Sequence, residues 1–259
     1  MIHQLAFVHP EAKIGENVTI DPFATIAKDV VIGNNTHIYS HAVISDGARI
    51  GNDCQIFPGA VISAIPQDLK FKGEETIAQI GDSTTVREYA TVNRGTASKG
   101  KTIVGSNCLL MAYSLVAHDC RLGDNVIIGN ATQLAGEVEI DDWAILSGGT
   151  LTHQFCRIGT HVMVQGGSRI GKDIPPFVTA GRDPLCYCGI NSIGLRRRGY
   201  TNEEIREIQD IFRYLYLSGM NTSNALEKIE EELPATKYRD CIINFVKSSE
   251  RGILKGFID

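Results

Sequence analysis

Residues 14–50 divide into hexads, IGENVT IDPFAT IAKDVV IGNNTH IYSHAV ISDGAR I, and every hexad opens on isoleucine. The frame extends back to Val8 and on through Ile56 and Ile62. It resumes at Ile80, Val86 and Val92, then runs from Val104 through Leu110, Val116, Leu122, Ile128, Leu134, Ile140 and Leu146 to Ile158, Val164 and Ile170. Within it only Asp68, Glu74, Ser98 and Thr152 are not Ile, Leu or Val. Four residues after each frame position lies a second slot of small or β-branched residues, such as Ala24, Ala42, Ala60, Val126 and Ala144. A period of six suits neither a 3.6-residue helix nor a long alternating strand. It suits very short strands joined by regular corners, each turning one bulky and one small side chain inward. Glycine marks a longer period: Gly15, Gly33, Gly51, Gly105, Gly123 and Gly159 share one phase of an 18-residue repeat. Asn or Asp often follows two residues later, as in Gly15-Glu16-Asn17 and Gly123-Asp124-Asn125, which suits corners needing positive φ. Three hexads per coil predict a triangular prism of parallel strands, an all-β parallel β-helix.

Two polar stretches leave the frame, at about residues 63–79 and 95–101, and read as loop excursions from the wall. The repeat ends at Pro175-Pro176. From Thr201 the period becomes helical, with Thr201 and Glu204 as a capping box and Ile205, Ile208, Phe212 and Leu215 as an apolar stripe. Further helices are expected near residues 224–233 and 237–248. The organisation predicted is a β-helix over 1–190 and a small helical domain over 191–259.

Composition narrows the function. The chain has 259 residues, 43% of them hydrophobic, enough for a large core. A net charge of −5 gives no general attraction to nucleic acid. No run of about 18 apolar residues predicts a membrane span. The start, Met1-Ile2-His3-Gln4-Leu5, lacks the pattern of a secretion signal, so a cytoplasmic protein is expected. Seven cysteines without CxxC spacing argue against a disulfide framework or zinc ribbon. Cys54, Cys108, Cys120 and Cys156 occupy the small inward slot and read as core residues.

The 18-residue coil also identifies neighbours, because such residues stack about 4.8 Å apart on one face. His118, Gly136, Gln154 and Lys172 form one such column, flanked by Glu137 and His153. An outward imidazole can act as a general base. A glycine one coil above it leaves an N–H open to a developing oxyanion. A zinc site is disfavoured: His118 and His153 stand two coils apart, about 10 Å, and no third ligand lies near them. No metal or other cofactor is expected.

Four motifs occur together: Gln67-Asp68-Leu69-Lys70, His118-Asp119-Cys120, His153-Gln154-Phe155-Cys156 and Gly194-Leu195-Arg196-Arg197-Arg198-Gly199. With the hexads, they resemble the UDP-N-acetylglucosamine O-acyltransferase family of lipid A synthesis, on hexapeptide-repeat β-helices. The resemblance implies a left-handed coil, a homotrimer with its active site between subunits, and two substrates: a 3-hydroxyacyl chain on acyl carrier protein and UDP-N-acetylglucosamine. It implies that His118 is the general base and Gly136 the oxyanion donor. Asp68 and Lys70 are implied as substrate ligands, His153 and Gln154 as sugar-site residues, and Asn191, Arg197 and Arg198 as ligands of the nucleotide end. Gly166 matches a position where glycine goes with a deep acyl groove, so a long chain is expected. Leu115 and Glu137 stand where the family commonly has histidine, which leaves O- against N-acylation of the sugar open. An N-acyltransferase of an amino-sugar nucleotide is the first alternative. The repeat's start at Val8 leaves no room for the uridine-binding N-terminal domain such relatives usually carry. A non-catalytic carrier-protein scaffold is the second, and the placing of His118 under Gly136 argues against it.

Overall fold

A computed structural model describes residues 1–256. Nearly every hexad forms a strand of only two residues, such as Lys13–Ile14, Thr19–Ile20 and Thr25–Ile26. The strands build three sheets of nine, eight and ten strands, in which the strands of the coils pair in parallel with those one coil away. Leu115 pairs with Gln133 and Gln133 with Leu151, so successive coils are in register. The frame side chains, Ile20, Ile26, Ile38, Ile44, Leu110 and Ile128 among them, are fully buried along the prism axis. Each contributes on the order of 1.5–3 kcal/mol through burial.

The excursions keep the hexad phase. Across the first, residues that would be 18 apart become 30 apart, as in the Asn52–Asp82 hydrogen bond. Across the second the separation is 24, as between Thr84 and Cys108. Each excursion therefore adds whole hexads, two and then one, and the wall resumes with the same face inward. Strand Ile77–Ile80 pairs with wall strands on both sides, so the first excursion closes before residue 77, earlier than the sequence pattern suggests.

Positive φ at the corners falls on Asn17 (55°), Asn35 (57°) and Asn125 (58°), not on the phase-marking glycines. Those glycines serve close approach: a Cβ at Gly33 would sit 2.5 Å from the carbonyl carbon of Gly51 in the next coil. Bulky residues also take the left-handed corner, including Phe23, Tyr89, Tyr113 and Trp143. That conformation costs such residues about 1–2 kcal/mol each. Stacking offsets it: Tyr89 lies on Tyr113 with centroids 5.3 Å apart and planes within 8°, and such pairs contribute about 0.5–1.5 kcal/mol. An 18- or 24-residue spacing of aromatic corner residues was the available signal.

The four slot cysteines are buried and free. Burial pushes the Cys108 and Cys156 thiols up to about 11 and Cys120 up to about 12. None is a thiolate nucleophile near neutrality.

Below the last full coils, strands Val178–Gly181 and Cys186–Ile190 form an antiparallel pair. Helix α1 (Ser192–Arg197) follows, capped by Asn191. It is an element the helical periodicity did not reveal, being too short for a stripe. Helix α2 (Asn202–Leu217) opens on the expected capping box, with both reciprocal bonds of Thr201 and Glu204 present. Helices α3 (Thr222–Glu232) and α4 (Lys237–Lys247) complete the tail. No helix among the described residues is long and apolar enough to cross a membrane.

His161 sits where wall and tail meet, stacked on Phe177 and edge-on to Tyr200. Arg198 donates to its Nδ1 (3.4 Å), so its proton resides on Nε2, which faces the Tyr200 hydroxyl oxygen at 3.0 Å. Burial, then the Arg198 charge, lowers its pKa from 6.5 to about 4. Between those values the unfolded chain binds a proton that the folded chain refuses, so stability falls as pH drops through this window. The group accounts for up to about 3 kcal/mol. Denaturant titrations at pH 7 and pH 4.5 should show a larger loss in the native chain than in His161→Gln. Equal losses would remove this assignment.

Candidate active site

Strands Leu115–Val116, Gln133–Leu134 and Leu151–Thr152 lie side by side in the nine-stranded sheet. The corners that follow them carry His118, Gly136 and Gln154. All three line one cleft of about 320 Å³, together with Gln67, Asn93, Leu115 and Thr152. Lys172, next in the 18-residue column, turns away and donates to the Arg251 carbonyl (2.9 Å) in the tail. His153 is exposed, with its Nδ1 3.1 Å from the Gln154 carbonyl oxygen, and does not line the cleft.

His118 is 8% exposed. Its Nδ1 lies 2.8 Å from Oδ2 of Asp119, whose side chain is wholly buried. An ionised carboxylate only accepts, so the proton sits on Nδ1 and the lone pair on Nε2. Asp119 occupies a left-handed corner (φ 61°), which folds its carboxylate back beneath the preceding imidazole. The sequence pattern around His118-Asp119-Cys120 carries no sign of this contact. Adjacent side chains rarely face each other, and only the corner geometry makes them do so here.

On the other side of the imidazole stands Gly136. A Cβ there would come within 2.5 Å of His118 Cε1 and 2.6 Å of Nε2. Ala135 and Glu137 give their N–H groups to the carbonyls of Thr152 and His118. The Gly136 N–H meets no acceptor among the described residues. The first excursion brings Asp68 over the same spot, its Oδ2 4.0 Å from His118 Nε2. Asp68 Oδ1 accepts from the Lys70 N–H at 2.9 Å, which tightens the turn. Asn93, buried in the wall, donates to the Ile65 carbonyl (3.1 Å) and fixes where that excursion leaves the prism. Base, carboxylate and open N–H thus converge on one small volume, a geometry suited to activating a hydroxyl and receiving the oxyanion it creates.

Leu115 lines the cleft as an apolar wall. Glu137 does not line it: its Oε1 accepts from the Ser98 hydroxyl (3.2 Å) in the second excursion.

Asn191, Arg197 and Arg198 gather in a different cleft, of about 460 Å³, with Ile145, Met163 and Thr179. Those last three belong to the ten-stranded sheet, so the arginine cleft opens on another face from His118. One chain does not bring the two groups together. Asn191 is committed at both ends, accepting from the Gly194 N–H (3.1 Å) and donating to the His161 carbonyl (2.9 Å). Arg198 lies over the Trp143 ring, 5.1 Å from its centroid. Gly166 stacks over Gly148, where a Cβ would meet the Gly148 carbonyl oxygen at 3.1 Å. Among the described residues no group of three or more His, Cys, Asp or Glu could hold a metal ion.

Hexad wall, histidine–aspartate pair and bare glycine together define a hexapeptide-repeat acyltransferase. The comparisons with known proteins agree. The family described as "Bacterial transferase hexapeptide (six repeats)" matches residues 11–46 and 101–136. "Udp N-acetylglucosamine O-acyltransferase; Domain 2" matches residues 173–254. The acyl-[acyl-carrier-protein]–UDP-N-acetylglucosamine O-acyltransferase of Alkalilimnicola ehrlichii is 47% identical over 254 residues, covering 96% of this chain and 97% of that protein. The protein of the same name from Janthinobacterium is 42% identical over 260 residues, covering 98% and 99%. The crystal structure of a UDP-N-acetylglucosamine acyltransferase from Bacteroides fragilis superposes with a TM-score of 0.97 at 58% identity, covering 98% of this chain and all of that one. The chain belongs to the acyl-[acyl-carrier-protein]–UDP-N-acetylglucosamine O-acyltransferase family, and its β-helix is left-handed.

Gly136→Ala tests the geometry directly, since the imidazole is tied to Asp119 and cannot yield freely. The expected result is a folded protein, by circular dichroism and melting temperature, with kcat reduced on the order of a hundredfold. Wild-type kcat in that variant would mean the imidazole is not where the structure has it.

Proposed function

We propose that the chain moves a 3-hydroxyacyl group from acyl carrier protein to the 3-hydroxyl of UDP-N-acetylglucosamine, the first step of lipid A biosynthesis. The observation that carries the mechanism is His118, held by Asp119 at 2.8 Å and turned towards the bare Gly136. His118 Nε2 takes the hydroxyl proton. The freed oxygen attacks the thioester carbonyl, and the tetrahedral oxyanion forms against the Gly136 N–H. The C–S bond then breaks, and the imidazolium returns the proton to the leaving thiolate. Asp119 stabilises the imidazolium throughout. Asp68 faces the reacting hydroxyl, Gln154 holds the sugar within the cleft, and His153 contacts it from the rim. The exposed Lys70 reaches a phosphate. This chemistry needs a base and an oxyanion donor, with no redox group or metal.

Arg197, Arg198 and Asn191 hold the nucleotide end, and they do so for a neighbouring subunit. Support comes from their placement on a different face from His118. A second support is the half-buried stripe Leu109, Ile127, Ile145 and Met163 on the outside of the ten-stranded sheet. The eight-stranded sheet presents charged residues such as Arg49, Arg121, Glu139 and Arg157 instead. A cyclic homotrimer pairs one apolar face with the cleft face of the next chain. The bare Gly148 and Gly166 leave room along the wall for a long acyl chain. The protein works in the cytoplasm, where its carrier-bound donor resides.

Purified chain should form an alkali-labile ester from hydroxyacyl carrier protein and UDP-N-acetylglucosamine, and His118→Ala should lose at least about a hundredfold in kcat. An alkali-stable amide product would establish N-acylation instead. Mixing His118→Ala with Arg198→Ala subunits should restore part of the activity if the site is shared; no recovery in verified mixed trimers would place both residues in a single chain's site.

A further inference from the structure

We infer that Thr96 is a positioning residue for the acyl-transfer base. The inference rests on the reading of His118 as that base. The second excursion, which the structure bounds at residues 94–100 because Lys101 already belongs to a wall strand, lies over Asp119 and supplies its buried carboxylate with most of its hydrogen bonds. The Thr96 N–H donates to Oδ1 (3.0 Å) and the Thr96 hydroxyl to Oδ2 (2.6 Å). The Lys99 N–H also donates to Oδ1 (3.2 Å). His118 Nδ1 completes the set at Oδ2. Thr96 is 7% exposed and Asp119 0%, so water cannot replace these donors.

The direction of the threonine bond is fixed. Thr96 Oγ1 accepts from the Ser98 N–H at 3.2 Å, which leaves its proton for the carboxylate. The Asp119 N–H is itself tied to Thr102 Oγ1 at 2.8 Å. The loop is then anchored from outside. Ser98 donates to Glu137, and Lys99 reaches Glu139 at 3.0 Å. Glu137, which stands where the resemblance leads one to expect histidine, thus secures the loop that holds Asp119 rather than touching the sugar.

Asp119 has no solvent around its carboxylate, so only protein donors stabilise its charge. Its charge is most needed when His118 becomes an imidazolium, which happens after substrate is bound. Removing the Thr96 hydroxyl leaves the imidazole as the sole donor on Oδ2. The carboxylate loses one of the bonds that fix its plane, and less of its charge is shared with donors other than the imidazole. The imidazole then holds its proton more tightly.

Thr96→Val keeps the shape and the backbone N–H while deleting the hydroxyl; Thr96→Ser retains it. The valine variant should lose about tenfold in kcat, with KM for the nucleotide sugar within about twofold. The acid limb of its kcat/KM profile should move to higher pH, and the His118 Nδ1–H proton resonance should shift. The serine variant should return kcat to within about threefold of the native value. An unmoved acid limb and resonance in Thr96→Val would overturn the inference, whether kcat is unchanged or falls only with the folded fraction seen by melting. His118→Ala, assayed beside it, separates the two ideas. If that variant stays active, the base assignment itself fails. If it is inactive while Thr96→Val is native-like, only the role of Thr96 is lost.

Discussion

Stacked coils are held by backbone N–H···O bonds that repeat with fixed register, and everything else in the molecule depends on that register. The bonds from Leu115 to Thr132, Gln133 to Thr150 and Leu151 to Ser168 illustrate it: 2.9, 2.8 and 2.8 Å in successive coils of one face. They carry no side-chain information, yet they decide which side chains become neighbours. The histidine and the glycine that face each other across the cleft are 18 positions apart because the coil is 18 residues long. A buried ladder of Ile, Leu and Val makes that register the only one that hides the apolar slot, since a shift by one residue would turn it to solvent.

The chemistry is placed by departures from this regularity. A perfect prism would present a smooth wall with no partner above the imidazole and no donors around the aspartate. The first excursion brings the Asp68 carboxylate to 4.0 Å from His118 Nε2, and the second encloses the Asp119 side chain. A rigid scaffold with functional loops is a common arrangement. Here the loops are short and tied back to the wall through Asn93, Asp119 and Glu137, so the site is fixed in shape.

Much of this was legible in the sequence. The hexad frame from Val8 to Ile170 stood out because a buried slot tolerates few residue types. The column of His118, Gly136 and Gln154 followed from coil length alone. What escaped detection obeyed no period. Lys172 belongs to the same column by number, but the tail supplies a carbonyl that turns it away. Asp119 pairs with its own sequence neighbour through a left-handed corner, a conformation that spacing does not encode. The arginine run stood out in the sequence as a motif shared with the family, while its placing on a different face depends on the hairpin and short helix below the last coil. Stacked rings at the corners, such as Phe23 on His41, offset a backbone conformation that residue preferences would forbid.

The whole-hexad size of both excursions has an evolutionary corollary. A triangular screw thread can lengthen or shorten only by complete sides if every later residue is to keep its facing. Within the strands, indels that are not multiples of six would turn the inward slot outward, and only a whole coil of 18 residues would leave the arginine cleft on its present face. Length can therefore change without moving the site in two ways, by a whole coil within the wall or by a loop that leaves and re-enters it at one corner, as both excursions do.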